Sequence, residues 1–208
     1  MKTTSGPYSQ AMVRRREDGA APETVAFVAS AGGIQALGEV LAGLPQDLDA
    51  ALIVVLHLLP EHQSHLAAIL GRQTTLRVKE AEHGDLLERG CVYVAPPDAH
   101  LFVEADGRLA LRAEPPVRHL RPSGDLLLTS LAANYNGRCL AVVLTGLGSD
   151  GTAGAEAVKE AGGTVVVQDE GTSEYFGMPQ AAIDAGVVDR ILPLGEIAPA
   201  VVDFVAQR

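Results

Sequence analysis

The stretch LAVVLTGLGSDGTAGAEAVKEA, residues 140–161, decides how the fold is read. Its first five residues are all apolar, which marks a strand over 140–144 buried on both faces. Glycines 146, 148 and 151 then bracket Ser149 and Asp150, and residues 154–161 follow with helical spacing. Glycine supplies the positive φ and the close backbone approach that such a strand-to-helix turn requires. Asp150 stands where a strand's carboxyl end meets a helix start, the place at which open α/β sheets hold their ligands. Two readings stand side by side here. Either Asp150 caps the helix with its carboxylate, or it serves a site.

The same alternation continues in both directions. Strands are expected over 24–28, 51–56, 91–94, 164–168 and 187–192, and helices over 34–44, 63–70, 124–136, 179–185 and 196–205. Pro179 suits a first helical position, and Gly137 a helix stop. Residues 100–103 and 109–112, joined by Glu-Ala-Asp-Gly-Arg, read as a hairpin. The expected fold is α/β, a doubly wound, mostly parallel sheet in a Rossmann-like three-layer arrangement, with an inserted antiparallel hairpin. Residues 1–22 show no periodicity and are expected to be a flexible tail, leaving 23–208 as one domain.

The totals agree with one core. The chain has 208 residues, 47% of them hydrophobic, enough to bury a sizeable interior. A net charge of −10 excludes nucleic acid as a partner, since phosphate binding wants a basic surface. No run approaches 18 apolar residues, and the N-terminus lacks the apolar core of a secretory signal. No membrane insertion and a cytoplasmic location are therefore expected. Cys91 and Cys139 sit in apolar runs with no metal-binding spacing, as buried thiols do.

Three strand ends carry polar groups of a catalytic type. The first strand runs into Ser30-Ala-Gly-Gly33, where the serine suits an N-cap, a phosphate loop or a nucleophile. Neither nucleotide-loop pattern, G-x-G-x-x-G or G-x-x-x-x-G-K-[ST], occurs there. His57 ends the second strand, beside Pro60; it is either a satisfied core histidine or a base. With His62 and His65 it could also be read as a metal ligand, but the spacing repeats no metal motif. No metal and no cofactor are expected. In a doubly wound sheet such ends share one edge, so Ser30, His57 and Asp150 could form a nucleophile, its base and an orienting acid.

Six segments in order carry a resemblance: VASAGG (28–33), VLHLLP (55–60), APPDAH (95–100), RPS (121–123), LTGLGSDG (144–151) and FGMP (176–179). Together they resemble the catalytic domain of bacterial chemotaxis protein-glutamate methylesterases of the CheB type, from about residue 23 to the C-terminus. The resemblance implies a serine carboxylesterase that hydrolyses glutamate γ-methyl esters on chemoreceptor helices to glutamate and methanol, and that can deamidate receptor glutamines. Carried over, Ser30 is the nucleophile, His57 the base and Asp150 the acid. Backbone N–H groups at Ala31 and Leu147 form the oxyanion hole, and Arg121 and Met178 line the substrate groove. For Arg121 a surface ion pair, and for Met178 core packing, are the plainer readings.

Where family members usually carry Gly-Ala-Ser-Thr/Ser-Gly-Gly, this chain has Val28-Ala29 before the serine and no hydroxyl at Ala31, and a common Gln and a common Met are replaced by Leu56 and Leu147. Many members also carry a phospho-receiver domain before the catalytic one. Only about 22 residues precede the first strand here, so the expectation is activity either ungated by a receiver in cis or controlled by a separate regulatory protein. A non-catalytic adaptor or sensory module, using the same groove for protein binding, is the competing reading.

Overall fold

The computed structural model describes residues 22–57 and 65–207. Fifteen elements run in the order β1 (Glu23–Ala29), α1 (Gly33–Ala42), β2 (Ala50–Leu56), α2 (Leu66–Gly71), β3 (Arg77–Glu80), β4 (Cys91–Val94), β5 (His100–Val103), β6 (Leu109–Arg112), α3 (Gly124–Tyr135), β7 (Cys139–Val143), α4 (Thr152–Glu160), β8 (Thr164–Gln168), α5 (Gly177–Asp184), β9 (Arg190–Leu192) and α6 (Leu194–Ala206). Seven strands form one sheet, β3-β4-β2-β1-β7-β8-β9, and every pairing in it is parallel. The expected doubly wound α/β fold is present. The hairpin β5–β6 is a separate two-stranded antiparallel sheet.

Period-two alternation of side chains divides the interior into two apolar layers. Val25, Phe27 and Ala29 of β1, with Leu52, Val54 and Leu56 of β2, face α1, α2 and α6. Ala26, Val28, Ala51, Ile53 and Val55 face the other way, onto α3, α4, α5 and the hairpin. Because both faces are covered, the central strands need no polar face, and this is why they read as continuous apolar runs. The hairpin packs on α3, where Ser130 Oγ accepts from Val103 N (3.0 Å) and Asn134 Nδ2 donates to Val103 O (2.9 Å).

The chain winds from β1 through α1 to β2 on one side and from β7 through α4 to β8 on the other. The winding therefore reverses between the neighbours β1 and β7, opening a crevice at their carboxyl ends. Registers fix which residues meet there. Ala29 pairs with Leu56, and Val28 with Val143. One step further along, Ser30 stands beside His57, and its N–H donates to Thr145 O (3.0 Å).

Several expectations need correction. Strand β3 has no counterpart in the sequence reading, because this edge strand, Arg-Val-Lys-Glu, is mostly polar and at least partly exposed along its length. The last strand begins at Arg190 rather than 187, Val187 and Val188 instead packing from the preceding turn. Helix α5 starts two residues early, placing Pro179 third rather than first. Of the tail expected over 1–22, residues 1–21 lie outside the described residues, as do 58–64 and residue 208. Cys91 and Cys139 are buried thiols.

Leu37 is fully buried in the layer between α1 and the sheet. Leu37→Ala is expected to cost about 3 kcal/mol of unfolding free energy, by lost transfer energy plus the cavity left behind. Urea denaturation with an unchanged m-value checks this.

Candidate active site

The loops after β1, β2 and β7 bring together the three residues singled out at strand ends. His57 follows β2 directly, and its N–H donates to Ala29 O (3.1 Å). His57 Nε2 donates to Asp150 Oδ2 at 2.8 Å, with the two side chains 8% and 1% exposed. With Nε2 carrying the proton, Nδ1 keeps its lone pair, and it has no hydrogen-bond partner among the described residues. Ser30 and His57 line one open cavity of about 920 Å³, together with Ala31 to Gln35, Gly38, Glu39, Ala42, Leu56 and Gln73. The cavity thus runs from the carboxyl edge of the sheet along α1.

A carboxylate as buried as Asp150 needs donors, because an uncompensated charge in an apolar interior costs several kcal/mol. It receives them from a helix other than its own. Asp150 Oδ1 accepts from Ser123 Oγ (2.8 Å) and Asp125 N (3.2 Å), and Oδ2 from Gly124 N as well as His57. Asp150 therefore caps α3, not the helix α4 that its place in the sequence suggests. The N-terminal end of a helix favours negative charge. Burial pushes the Asp150 carboxyl up, but the His57, Gly124 and Ser123 bonds outweigh it and hold it below the usual carboxylate range.

Thr145 and Gln168 bind the strand ends together, and sequence reasoning passed over both. Thr145 N donates to Gln168 Oε1 (2.8 Å), and Thr145 Oγ1 donates to Ala31 O (3.1 Å) while accepting from Tyr175 N (2.9 Å). Gln168 Nε2 donates to Thr172 O (2.8 Å). Gln168 is a polar residue that ends an otherwise apolar strand, the same signal that marked His57. Gly146 sits where nothing larger fits. A Cβ there would lie 2.2 Å from Met178 Sδ and 2.9 Å from Ser30 Cβ.

The remaining singled-out residues divide. Ala31 lines the cavity, whereas Leu147 projects into solvent, 62% exposed. Neither backbone N–H donates to any acceptor among the described residues. Met178 is fully buried behind Gly146, its N–H donating to Gly146 O (2.9 Å). Arg121 is paired with Asp98 and donates to Glu114 O (3.1 Å), and it does not line the cavity. His65 precedes α2 at its N-cap, and His62 lies outside the described residues. Among the described residues no group of three His, Cys, Asp or Glu could hold a metal ion, and no helix is long and apolar enough to cross a membrane.

Residues 25–201 match a family model described as CheB methylesterase. The chain is 45% identical over 191 residues to protein-glutamate methylesterase/protein-glutamine glutaminase 2 of Anaeromyxobacter dehalogenans, covering 89% of this chain and 55% of that protein. It is 41% identical over 181 residues to protein-glutamate methylesterase FrzG of Myxococcus xanthus, covering 87% and 54%. The chain thus spans about half the length of the curated relatives it matches. The crystal structure of the Thermotoga maritima CheB methylesterase catalytic domain superposes with a TM-score of 0.85 at 36% identity, covering 88% of this chain and 99% of that one.

The depressed Asp150 carboxyl sets an expectation for acid stability. A folded-state value below the unfolded one adds stability above the unfolded value of about 3.9 and loses it as the pH falls through the folded value. Asp150→Asn is expected to lower the Tm at neutral pH and to flatten its further fall below about pH 4. Thermal melts of both proteins from neutral pH to about pH 2 check this, and parallel curves would refute it.

Proposed function

Because the chain belongs to the CheB methylesterase family, we propose that it is a serine carboxylesterase acting through Ser30, His57 and Asp150. Its substrate is a glutamate γ-methyl ester on the cytoplasmic helices of a chemoreceptor-type protein, and its products are glutamate and methanol. Glutamine side chains at such positions are deamidated by the same steps, with ammonia leaving in place of methanol. The reaction belongs in the cytoplasm. The observation that carries this reading is the buried His57–Asp150 hydrogen bond, with Ser30 on the same cavity wall.

The chemistry follows from that geometry. Asp150 holds the His57 proton on Nε2 and stabilises the imidazolium, and Nδ1 accepts the proton of Ser30 Oγ as that oxygen attacks the ester carbonyl. The tetrahedral oxyanion meets the unoccupied N–H groups of Ala31 and Leu147, with the N-terminus of α1 adding a favourable dipole. Collapse passes the proton from His57 to the methoxide, methanol leaves, and an acyl-enzyme on Ser30 remains. Water, deprotonated by His57, then releases the glutamate carboxylate and restores the serine.

The residues Ala31 and Leu147, where the family usually has a hydroxyl and a methionine, fit this mechanism because only their backbone acts. Leu for Met conserves volume. The cavity along α1 is open enough to receive a side chain presented from a helix, with Ile34 exposed at the cavity's edge. Met178 serves from behind, backing the wall against which Ser30 packs.

Ser30→Ala and His57→Ala are each expected to cut methanol release from a glutamyl methyl ester peptide by about 10³-fold or more. A fluorophosphonate probe is expected to label the native protein at Ser30 and to leave Ser30→Ala unlabelled. A folded native protein that never labels and releases no methanol would favour the adaptor reading instead.

A further inference from the structure

We propose that Asp125 is a positioning residue for the His57–Asp150 pair, acting through an exchange of carboxylates between the starts of α3 and α4. The inference rests on the triad reading above and adds a residue to it. Asp125 lies in the first turn of α3 and is 8% exposed. Its Oδ1 accepts from Gly151 N (2.8 Å) and Gly154 N (3.0 Å), the opening amides of α4. Asp150, just before α4, accepts in turn from Ser123 Oγ, Gly124 N and Asp125 N at the opening of α3. Neither helix has a side-chain cap of its own at its N-cap residue, Ser123 or Gly151. Each start is capped by the carboxylate of the other.

The bond to Gly151 N bears directly on Asp150. The Gly151 N–H belongs to the same rigid peptide plane as the Asp150 carbonyl. An acceptor that fixes this plane fixes the backbone from which the Asp150 side chain leaves, with Gly151 held at φ 93°. The two helix starts touch closely. A Cβ at Gly154, in α4, would lie 2.5 Å from Leu128 Cβ and 2.9 Å from Asp125 O of α3, and one at Gly124 would lie 3.0 Å from Asp150 Oδ2. With that packing, Asp125 holds Asp150 in the orientation that meets His57.

What Asp125 supplies is an acceptor at the right place rather than a charge. Burial and the neighbouring Asp150 charge both push its carboxyl up, against the opposing Gly154 and Gly151 bonds. A second negative charge here is a burden that the structure tolerates to keep the two hydrogen bonds. An asparagine would keep Oδ1 and drop the charge.

The test compares native protein, Ser30→Ala, Asp125→Ala and Asp125→Asn in methanol release from a glutamyl γ-methyl ester peptide, with thermal melts to confirm folding at the assay temperature. Asp125→Ala is expected to lower kcat by about 10–100-fold with KM within about two-fold, as loss of an orienting partner does. Asp125→Asn is expected to recover most of that loss. A native kcat in Asp125→Ala, a loss carried by KM, or an Asp125→Asn as slow as Asp125→Ala would each overturn the inference while Ser30→Ala stays inactive. Full activity in Ser30→Ala would instead overturn the triad reading itself. If Asp125→Ala fails to fold, Asp125→Ser replaces it, its hydroxyl being too short to span both amides. The same kcat loss is then expected, and a native kcat overturns the inference.

Discussion

A carboxylate taken out of water must be answered by donors, and the functional edge of this protein is built around that requirement at Asp150. Its oxygens are met by one imidazole, one hydroxyl and two backbone amides. Three of these four come from the opening of α3, so the helix dipole favours the charge as well. The histidine can then hold its proton on the nitrogen that faces the carboxylate. Placing a charge inside an apolar layer thus does two things at once. It orients the His57 imidazole, and it joins α3 and α4 at their starts. Gly154 follows from the same need, because its Cα packs against the Asp125 backbone, while Gly124 leaves room beside the Asp150 carboxylate and Gly151 takes the turn's positive φ.

The sheet supplies the other half of the geometry. In a parallel sheet with its winding reversed between β1 and β7, the loops after β1, β2 and β7 all emerge at one edge. Registers then place Ser30, His57 and Thr145 side by side without any long-range search by their side chains. Thr145 and Gln168 complete the arrangement by satisfying loop amides and carbonyls that would otherwise be buried without partners. The cavity is left lined by glycines and small residues on the Ser30 side and by α1 beyond it.

Much of this is legible in the sequence, for physical reasons that differ by element. The central strands stand out because both faces are covered, so their residues carry no compromise with solvent. Strand β3 hid because an edge strand with exposed side chains looks like any polar loop. Ser30, His57 and Asp150 stood out as polar groups closing apolar runs. The partners of Asp150 did not, because Ser123 followed by Gly124 and Asp125 reads locally as a helix beginning, and nothing in that segment points to a carboxylate some 25 residues away. The sequence also suggested the wrong helix for Asp150 to cap. Local reading assigns a cap to the nearest amides, whereas here the nearer ones are taken by Asp125.

The span of chain that the functional edge draws on has a consequence for how the protein comes into being. Ser30 and His57 leave the ribosome before Ser123, Asp125, Asp150 and Gln168, which follow over more than a hundred residues. A nascent chain that stops short of Asp150 holds an apolar pair of strands and a histidine with no carboxylate to orient it. The central strand β1 must also wait for β7 to cover its second edge. The hydrogen-bonded arrangement around His57 is therefore complete only once nearly the whole domain has been made and folded.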